Sequence, residues 1–140
     1  MLFTSIPENG NNVSADYYLD GYTSTRNIQQ EGITRTIQTE AADYALAQTI
    51  EINGNTLNGF MGSCGQWVTI WNNKEHIDDI LEVVRPDLGD GKTYYLFSDW
   101  SASKWTSTQN GGNGAWRFAS VLGFNVKNYR CAVLVFYAPS

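Results

Sequence analysis

The spacing of the apolar residues changes once along the chain, and this change limits the fold more than any other feature. Up to Arg85-Pro86, apolar side chains recur at the three- and four-residue intervals of helices. After Tyr94 the pattern is that of short strands separated by polar turns, and there is no internal repeat. Helices followed by strands, rather than alternating with them, predict an α+β domain.

The first predicted helix runs from Thr36 to Ile50. Apolar and small side chains share one side of it, and either Thr36 or Thr39 is expected to cap its start. Asn53-Gly54-Asn55 is expected to end it. The weakly periodic, Thr- and Gln-containing residues 22–35 before it are expected to form a loop, with a short helical turn near 27–30.

A second helix is predicted from Ser63 to Arg85-Pro86. Ser63 as N-cap and Gln66 at the third helical position form a capping box. Asn72-Asn73 marks a break or a new cap within this segment, and the residue before Pro86 avoids the helical region.

The residues after Tyr94 predict an antiparallel sheet. Strands are expected at Lys104–Thr108 and Ala115–Ser120, joined through the Asn- and Gly-only tip Asn110–Gly114. A polar turn is expected at Gly123–Asn128. The continuous apolar run within Tyr129–Tyr137 predicts a central strand buried on both faces.

The 140 residues fit one domain, residues 20–140, preceded by an extended arm at 1–19 that packs on the domain or on a neighbouring subunit. Met1–Pro7 carry neither a basic region nor a long apolar run, so we expect neither a signal peptide nor membrane insertion. A protein made in the cytoplasm, as virion proteins are, and a trimmed mature domain both remain open.

The charge argues against one class of partner. The net charge is -5 and the nine basic residues are scattered, whereas binding to phosphates needs clustered Lys and Arg. The five Trp and eight Tyr residues fit sugar stacking or protein interfaces, but also an ordinary core.

No arrangement of residues favours catalysis or a metal. Cys64 and Cys131 follow no spacing motif, and their pairing stays open. The single histidine, His76, lies in a polar helical stretch, and Ser63, although flanked by glycine, lacks the preceding strand of a nucleophile elbow. The candidate calcium ligands are the loop carboxylates Asp87, Asp90 and Asp99, but they lack the regular spacing of a calcium-binding loop.

The residues after Trp105 favour a contact surface instead. If Trp116 and Phe118 point inward, side chains at alternate positions point outward. These outward residues and those of the next turn are Arg117, Ala119, Val121, Phe124, Asn125 and Asn128. A polar hairpin without a partner is the alternative interpretation.

Several segments, in their order and spacing, resemble the Fibrobacter-type major paralogous domain, which is related to the C-terminal domain of the Legionella collagen-like adhesin. The resemblance covers residues 16–137. The matching segments are Asp20-Gly21, Thr25 and Ile28, Ala41-Ala42 with Tyr44, Gly59 to Trp67, Asn73-Lys74 and Ile77, Trp105 to Gln109, Ala115-Trp116, Lys127, and Arg130 to Val133.

This family has a C-type-lectin-like fold, so the resemblance implies two main helices packed on a twisted antiparallel sheet with long loops. Such domains occur in bacterial surface proteins, phage tail proteins and the variable proteins of diversity-generating retroelements. In those variable proteins the diversified positions follow a motif like Trp105–Gln109. The matching positions, which are the candidate ligand-binding residues, are Asn110, Gly111, Asn113, Arg117, Ala119, Val121, Phe124, Asn125 and Asn128.

The chain departs from the family at Gly62–Gly65, which lacks the usual proline, and at Gln66, where glutamate is common. The lectin calcium motif and its two disulfides are absent, as is the cysteine pair of the related formylglycine-generating enzyme. Calcium-dependent sugar binding and that enzyme's chemistry are therefore not carried over, and neither cofactor nor metal is expected.

The leading hypothesis is a non-enzymatic display domain of a phage virion, or of a bacterial surface or secreted protein. Its expected ligand is a cell-surface protein or glycan, and no nucleic acid is expected. It is expected to form a homo-oligomer or to sit beside neighbouring virion subunits. The alternative is a structural virion or assembly protein whose arm, Met1–Tyr18, docks into a neighbouring subunit.

Overall fold

In a computed structural model of the chain, the residues described are 1–3, 19–84, 102–110 and 114–139. Their helices and antiparallel sheets confirm the α+β class. None of the helices in these ranges is both long and apolar enough to cross a bilayer. The elements are α1 (Gly21–Arg35), α2 (Glu40–Ala47), β1 (Thr49–Ile52), β2 (Asn55–Met61), α3 (Cys64–Asn72), α4 (Lys74–Val84), β3 (Lys104–Asn110), β4 (Gly114–Phe118), β5 (Leu122–Val126) and β6 (Val135–Pro139).

The strands of the described ranges form two three-stranded sheets, in the orders β1-β2-β6 and β3-β4-β5. The predicted central strand over Tyr129–Tyr137 is wrong, because only Val135–Pro139 is strand and it lies at the end of its sheet among the described residues. The start of that apolar run makes only isolated bridges, from Arg130 and Ala132. An apolar run shows that a segment is buried, but not which neighbour it pairs with.

Helix α1 occupies the segment that was expected to be a loop, so that prediction is wrong except for the helical turn near 27–30. Asp20 caps the helix by accepting hydrogen bonds from Thr23 N (3.0 Å) and Thr23 Oγ1 (2.7 Å). The buried side of α1 does follow helical spacing, but its members are small and polar and give no apolar signal. They are Gly21, Ser24, Thr25, Ile28 and Gly32.

Small residues let α1 lie very close to strand β2. A Cβ atom on Gly21 would stand 2.3 Å from the carbonyl oxygen of Met61, which is closer than any real contact. At the next turn, Thr25 Oγ1 donates to Gly21 O (2.6 Å) and accepts from Met61 N (3.0 Å). The hydroxyl thereby satisfies a backbone group that the close packing removes from water.

The predicted helix over Thr36–Ile50 is confirmed only for α2, Glu40–Ala47. Its end is wrong because β-branched residues continue as strand β1 rather than as helix. Asn53 (φ 51°) and Gly54 (φ 78°) then form the tight turn between β1 and β2. Asn-Gly is the strongest two-residue hairpin signal, so the residues expected to stop a helix instead connect two strands.

The second predicted helix is confirmed as far as Val84, including its break, whereas its expected end at Arg85-Pro86 lies outside the described residues. Helices α3 and α4 meet at Asn73, and the capping box is present in full. Ser63 N donates to Gln66 Oε1 (3.0 Å), and Gln66 N donates to Ser63 Oγ (3.3 Å). Gln66 Oε1 also accepts from Gly21 N (3.1 Å), so one amide side chain ties the starts of α3 and α1 together.

An apolar core lies between helices α1 and α2 and strands β2, β3 and β4. Phe3 belongs to this core, and Met1 packs against it. Phe3 is fully buried, and its ring centroid lies 5.6 Å from that of Trp105. Phe3 N donates to Lys127 O (3.0 Å), and Met1 O accepts from Trp105 Nε1 (2.8 Å) and from Cys131 N (3.0 Å). The first three residues of the expected arm therefore pack on the domain, and residues 4–18 of that arm lie outside the described residues.

Candidate binding surface

The β4–β5 hairpin carries most of the predicted ligand-binding residues. Its strands pair in an unbroken register, with Gly114 opposite Val126 and Phe118 opposite Leu122. The polar turn expected at Gly123–Asn128 is wrong, because most of that segment is strand β5. The connection between the strands is short, since β4 ends at Phe118 and β5 begins at Leu122, and a short connection holds both strands in a fixed geometry.

Large apolar side chains are exposed on β5 and at both of its ends. The exposed fraction is 70% for Val121, 61% for Phe124, 51% for Val126 and 56% for Tyr129. We call these four side chains the β5 surface. Single exposed apolar residues are ordinary, but four within one short segment are typical of an interaction site.

The β5 surface stands on aromatic packing. Phe124 lies opposite Trp116 in the register, and their rings meet edge to face with centroids 5.8 Å apart. Phe118, on the same side of β4 as Trp116, stacks on Trp67 with centroids 5.3 Å apart. Val126 is exposed for a simple reason, since its cross-strand partner is Gly114 and offers no side chain to cover it.

Arg117 lies on the other side of the hairpin. It pairs with Gly123, and its guanidinium stands 2.9–3.1 Å from where a Cβ atom of Gly123 would be. A larger residue at 123 would therefore displace the guanidinium. Strand β5 thus has apolar side chains on one face and a cation lying across the other.

The charges of the chain are segregated. All 14 Asp and Glu residues lie before residue 100, and residues 100–140 contain none of them. The four basic residues of that last segment differ in exposure. Lys104 and Lys127 are buried, Arg117 is half-buried, and the Arg130 side chain is 73% exposed, 3.9 Å from Glu40.

Buried Lys127 belongs to the scaffold rather than to the surface. Its Nζ donates to Gln109 Oε1 and lies 5.8 Å from the centroid of the Phe3 ring. Lys104 Nζ similarly lies 5.8 Å from the Trp67 ring, and burial lowers the pKa of Lys104 to about 8. The carbon stems of both lysines thereby fill core space around aromatic rings.

The structure places the predicted site residues of the hairpin in three environments. Val121, Phe124 and Asn128 are exposed, and Ala119 is partly exposed. Arg117 is half-buried against β5, so its expected outward orientation holds only in part. Asn125 turns inward, where its Nδ2 donates to Cys131 Sγ (3.5 Å).

The tip of the β3–β4 hairpin is described only at its base. Asn110 pairs with Gly114, which confirms the predicted hairpin. The side chain of Asn110 and the whole of Gly111 and Asn113 lie outside the described residues.

Two members of the β5 surface, Val126 and Tyr129, were missed by the sequence prediction. The alternation of Phe124 and Val126 at a spacing of two was a strand signal inside the segment interpreted as a turn. The segregation of charge was visible too, in the lack of any acidic residue after Asp99.

Both cysteines are free and buried, so the question of their pairing is answered for this structure. Burial raises the pKa of the Cys64 thiol, although hydrogen bonds to Thr106 and Thr108 act in the opposite direction. Burial likewise raises the pKa of Cys131. A protonated, buried thiol is a weak nucleophile, so each cysteine acts as a small core residue.

The groups considered for catalysis or metal binding are dispersed. His76 is exposed on α4. In the part of the chain that the structure describes, no three His, Cys, Asp or Glu side chains gather where they could hold a metal ion. The candidate calcium ligands Asp87, Asp90 and Asp99 lie outside that part.

Comparisons of this chain with protein-family models, with curated proteins and with solved structures gave no match.

Proposed function

We propose that this protein is a non-enzymatic binding domain that displays the β5 surface to a cell-surface ligand, on a phage virion or a bacterial surface. The observation that carries the proposal is the exposure of Val121, Phe124, Val126 and Tyr129 along one short strand and its flanks. Large apolar side chains in water favour a partner that covers them.

The scaffold under the β5 surface supports the same function. Phe124 is held by Trp116, and β4 is held by the stack of Phe118 on Trp67. A surface that is fixed before binding loses little conformational entropy when the partner arrives. Binding residues on a hairpin supported by a rigid core are a common arrangement in recognition proteins.

The resemblance to the variable proteins of diversity-generating retroelements extends the proposal. We propose a C-type-lectin-like fold in which Ala119, Val121, Phe124 and Asn128 are among the diversified positions. The DNA beside the gene tests this directly. We expect a reverse-transcriptase gene and a near-copy of the codons for residues 100–140, and their absence would remove diversification from the proposal without affecting binding.

The binding function is tested with a matched pair of variants. Phe124→Ser with Val126→Thr removes the middle of the β5 surface. Ile33→Ser with Ile52→Thr makes the same kind of change at two distant residues that are 67% and 49% exposed. Fluorescently labelled protein is added to a panel of bacterial strains, and bound label is measured by flow cytometry.

We expect the first variant to bind responsive strains about tenfold more weakly or worse, since a few central residues carry most binding energy. The second variant should bind like the unmodified protein. The first variant should remain folded but lose about 1–2 kcal/mol of its free energy of unfolding, because it removes the edge-to-face pair of Phe124 with Trp116. The second variant should change that free energy by about 0.5 kcal/mol or less, as exposed substitutions usually do. Equal labelling of all strains, or equal binding by both variants, would contradict the proposal.

A further inference from the structure

Strand β5 is the last strand of its sheet among the described residues. A strand in that position presents backbone N–H and C=O groups that can pair with another chain. Proteins usually protect such edges with a charge, a proline or a bulge. Leu122–Val126 contains no charged residue and no proline, and its register with β4 is unbroken.

Strands β3 and β6, unlike β5, carry features that discourage pairing with another chain. The register of β3 with β4 shifts between Trp105 and Gln109, which is an irregularity of the kind that discourages edge pairing. Strand β6, at the end of the other sheet, contains Pro139, which has no N–H to donate. Strand β5 is the regular, uncharged edge, and it is also the strand with exposed Phe124 and Val126. The carbonyl oxygen of Val126 already accepts a hydrogen bond from Tyr129 N (2.9 Å), so a partner strand would pair with the part of β5 before Val126.

One face of β5 is apolar and the other carries a positive charge, and both faces border the edge of the strand that pairs with no other described strand. Phe124 and Val126 lie on one face, whereas the Arg117 guanidinium lies across Gly123 on the other. Exposed Arg130 follows Tyr129 at the end of the β5 surface. No acidic residue occurs from residue 100 onward to balance these cations, although Glu40 approaches Arg130 from α2.

A strand added to this edge would meet both faces. Neighbouring residues of a strand point to opposite sides of the sheet, so every second side chain of the partner would lie beside Phe124 and Val126. The intervening side chains would lie on the side of Arg117. Apolar groups suit the first position, and carboxylates suit the second.

We propose that the ligand of the β5 surface is an extended protein segment that pairs with the β5 edge and alternates apolar with acidic side chains. This inference rests on the proposed binding function and names the partner within it. A glycan fits less well, because Val121 and Val126 cannot hydrogen-bond to sugar hydroxyls. The nearby amide of Asn125 is turned toward Cys131.

In the test, a library of random linear peptides displayed on a carrier is selected for binding to the immobilised full-length protein. A glycan array is screened with the same protein in parallel. We expect the selected peptides to alternate acidic with aliphatic or aromatic residues. Synthetic copies should bind about tenfold more weakly to Phe124→Ser and to Arg117→Gln. Ile33→Ser is the control and should leave binding unchanged.

Two further peptides test how the partner is held. Reversing the acidic residues to lysine should abolish binding through repulsion from Arg117 and Arg130. Methylating the backbone nitrogens that face β5 should also abolish binding, because strand addition depends on main-chain hydrogen bonds.

Several results would overturn the inference. They are selection of basic or non-alternating peptides, failure to select any peptide, full binding by the methylated peptide, and glycan binding that depends on Phe124. The last result would leave the proposed binding function intact. Loss of cell binding and of every ligand in both screens would instead reject that function.

Discussion

Two regions of this protein invert the usual relation between polarity and burial. Helix α1 and strand β3 bury hydroxyl and ammonium groups, with Ser24, Thr25 and Thr106 fully inaccessible and Lys104 nearly so. Strand β5 exposes a phenylalanine that is 61% accessible. Close packing therefore determines what α1 buries, whereas β5 retains apolar groups that its own fold does not cover.

The largest effect is expected where the buried region is tightest. In an ordinary helix, Gly→Ala stabilises by about 0.5–1 kcal/mol. Gly21→Ala should instead destabilise by about 3 kcal/mol, because the new Cβ would stand 2.3 Å from Met61 O and force α1 off β2. Denaturant unfolding measures this, with Thr34→Ala, at an exposed position of the same helix, as the control. A stable Gly21→Ala protein would show that α1 can move away without loss.

A smaller effect is expected from one buried hydroxyl. Thr25→Val keeps the shape but removes the acceptor of Met61 N and the donor to Gly21 O. An unsatisfied buried N–H costs about 1–3 kcal/mol, so the free energy of unfolding should fall by that amount. Thr34→Val makes the same change in water and should have little effect. Equal values for the two variants would mean that the buried polar contacts of α1 contribute nothing.

The third effect concerns the buried lysine of β3 and, unlike the first two, depends on pH. Burial lowers the pKa of Lys104 from 10.5 to about 8 in the folded protein. Between these values the unfolded chain binds more protons, so the stability contribution of Lys104 rises with pH, by at most about 1.4 kcal/mol per pH unit. Lys104→Met lacks this rise, so its stability relative to the unmodified protein should decline from pH 7.5 to pH 10.

The stability of Lys104→Met is compared with that of the unmodified protein because the two cysteines change stability with pH in the opposite direction to Lys104. The raised pKa values of Cys64 and Cys131 lower stability above about pH 9. Both proteins share that loss, so it cancels in the difference. A difference that stays constant with pH would show that Lys104 remains charged in the folded protein.

The sequence predicted the elements whose signals lie within a few neighbouring residues. The capping box at Ser63, the break at Asn72-Asn73 and the β3–β4 hairpin were all found. Helix α1 was missed because its buried side consists of Gly, Ser and Thr around a single isoleucine. Asn53-Gly54 was assigned to the wrong element because the same two residues can end a helix or turn a hairpin.

Some residues of the candidate surface are exposed as expected, but the segment that carries them has a different structure from the one expected. Phe124 and Val121 were expected at the surface and are exposed there. Asn125 was expected beside them, but its contact with Cys131 depends on a segment six residues further along the chain. The polar turn expected at that place is a strand with an apolar face, because pairing with β4 overrides a weak local turn signal.

The packing of Met1–Phe3 makes part of the core depend on contacts between distant segments of the chain. The amino group of Met1 donates to Cys131 O, a partner 130 residues away in the chain, and Phe3 needs Trp105 and Lys127 to be in place. These contacts close a long loop, and the entropy lost on closing it opposes their formation. Contacts of such long sequence separation slow folding, so this part of the core is expected to form late.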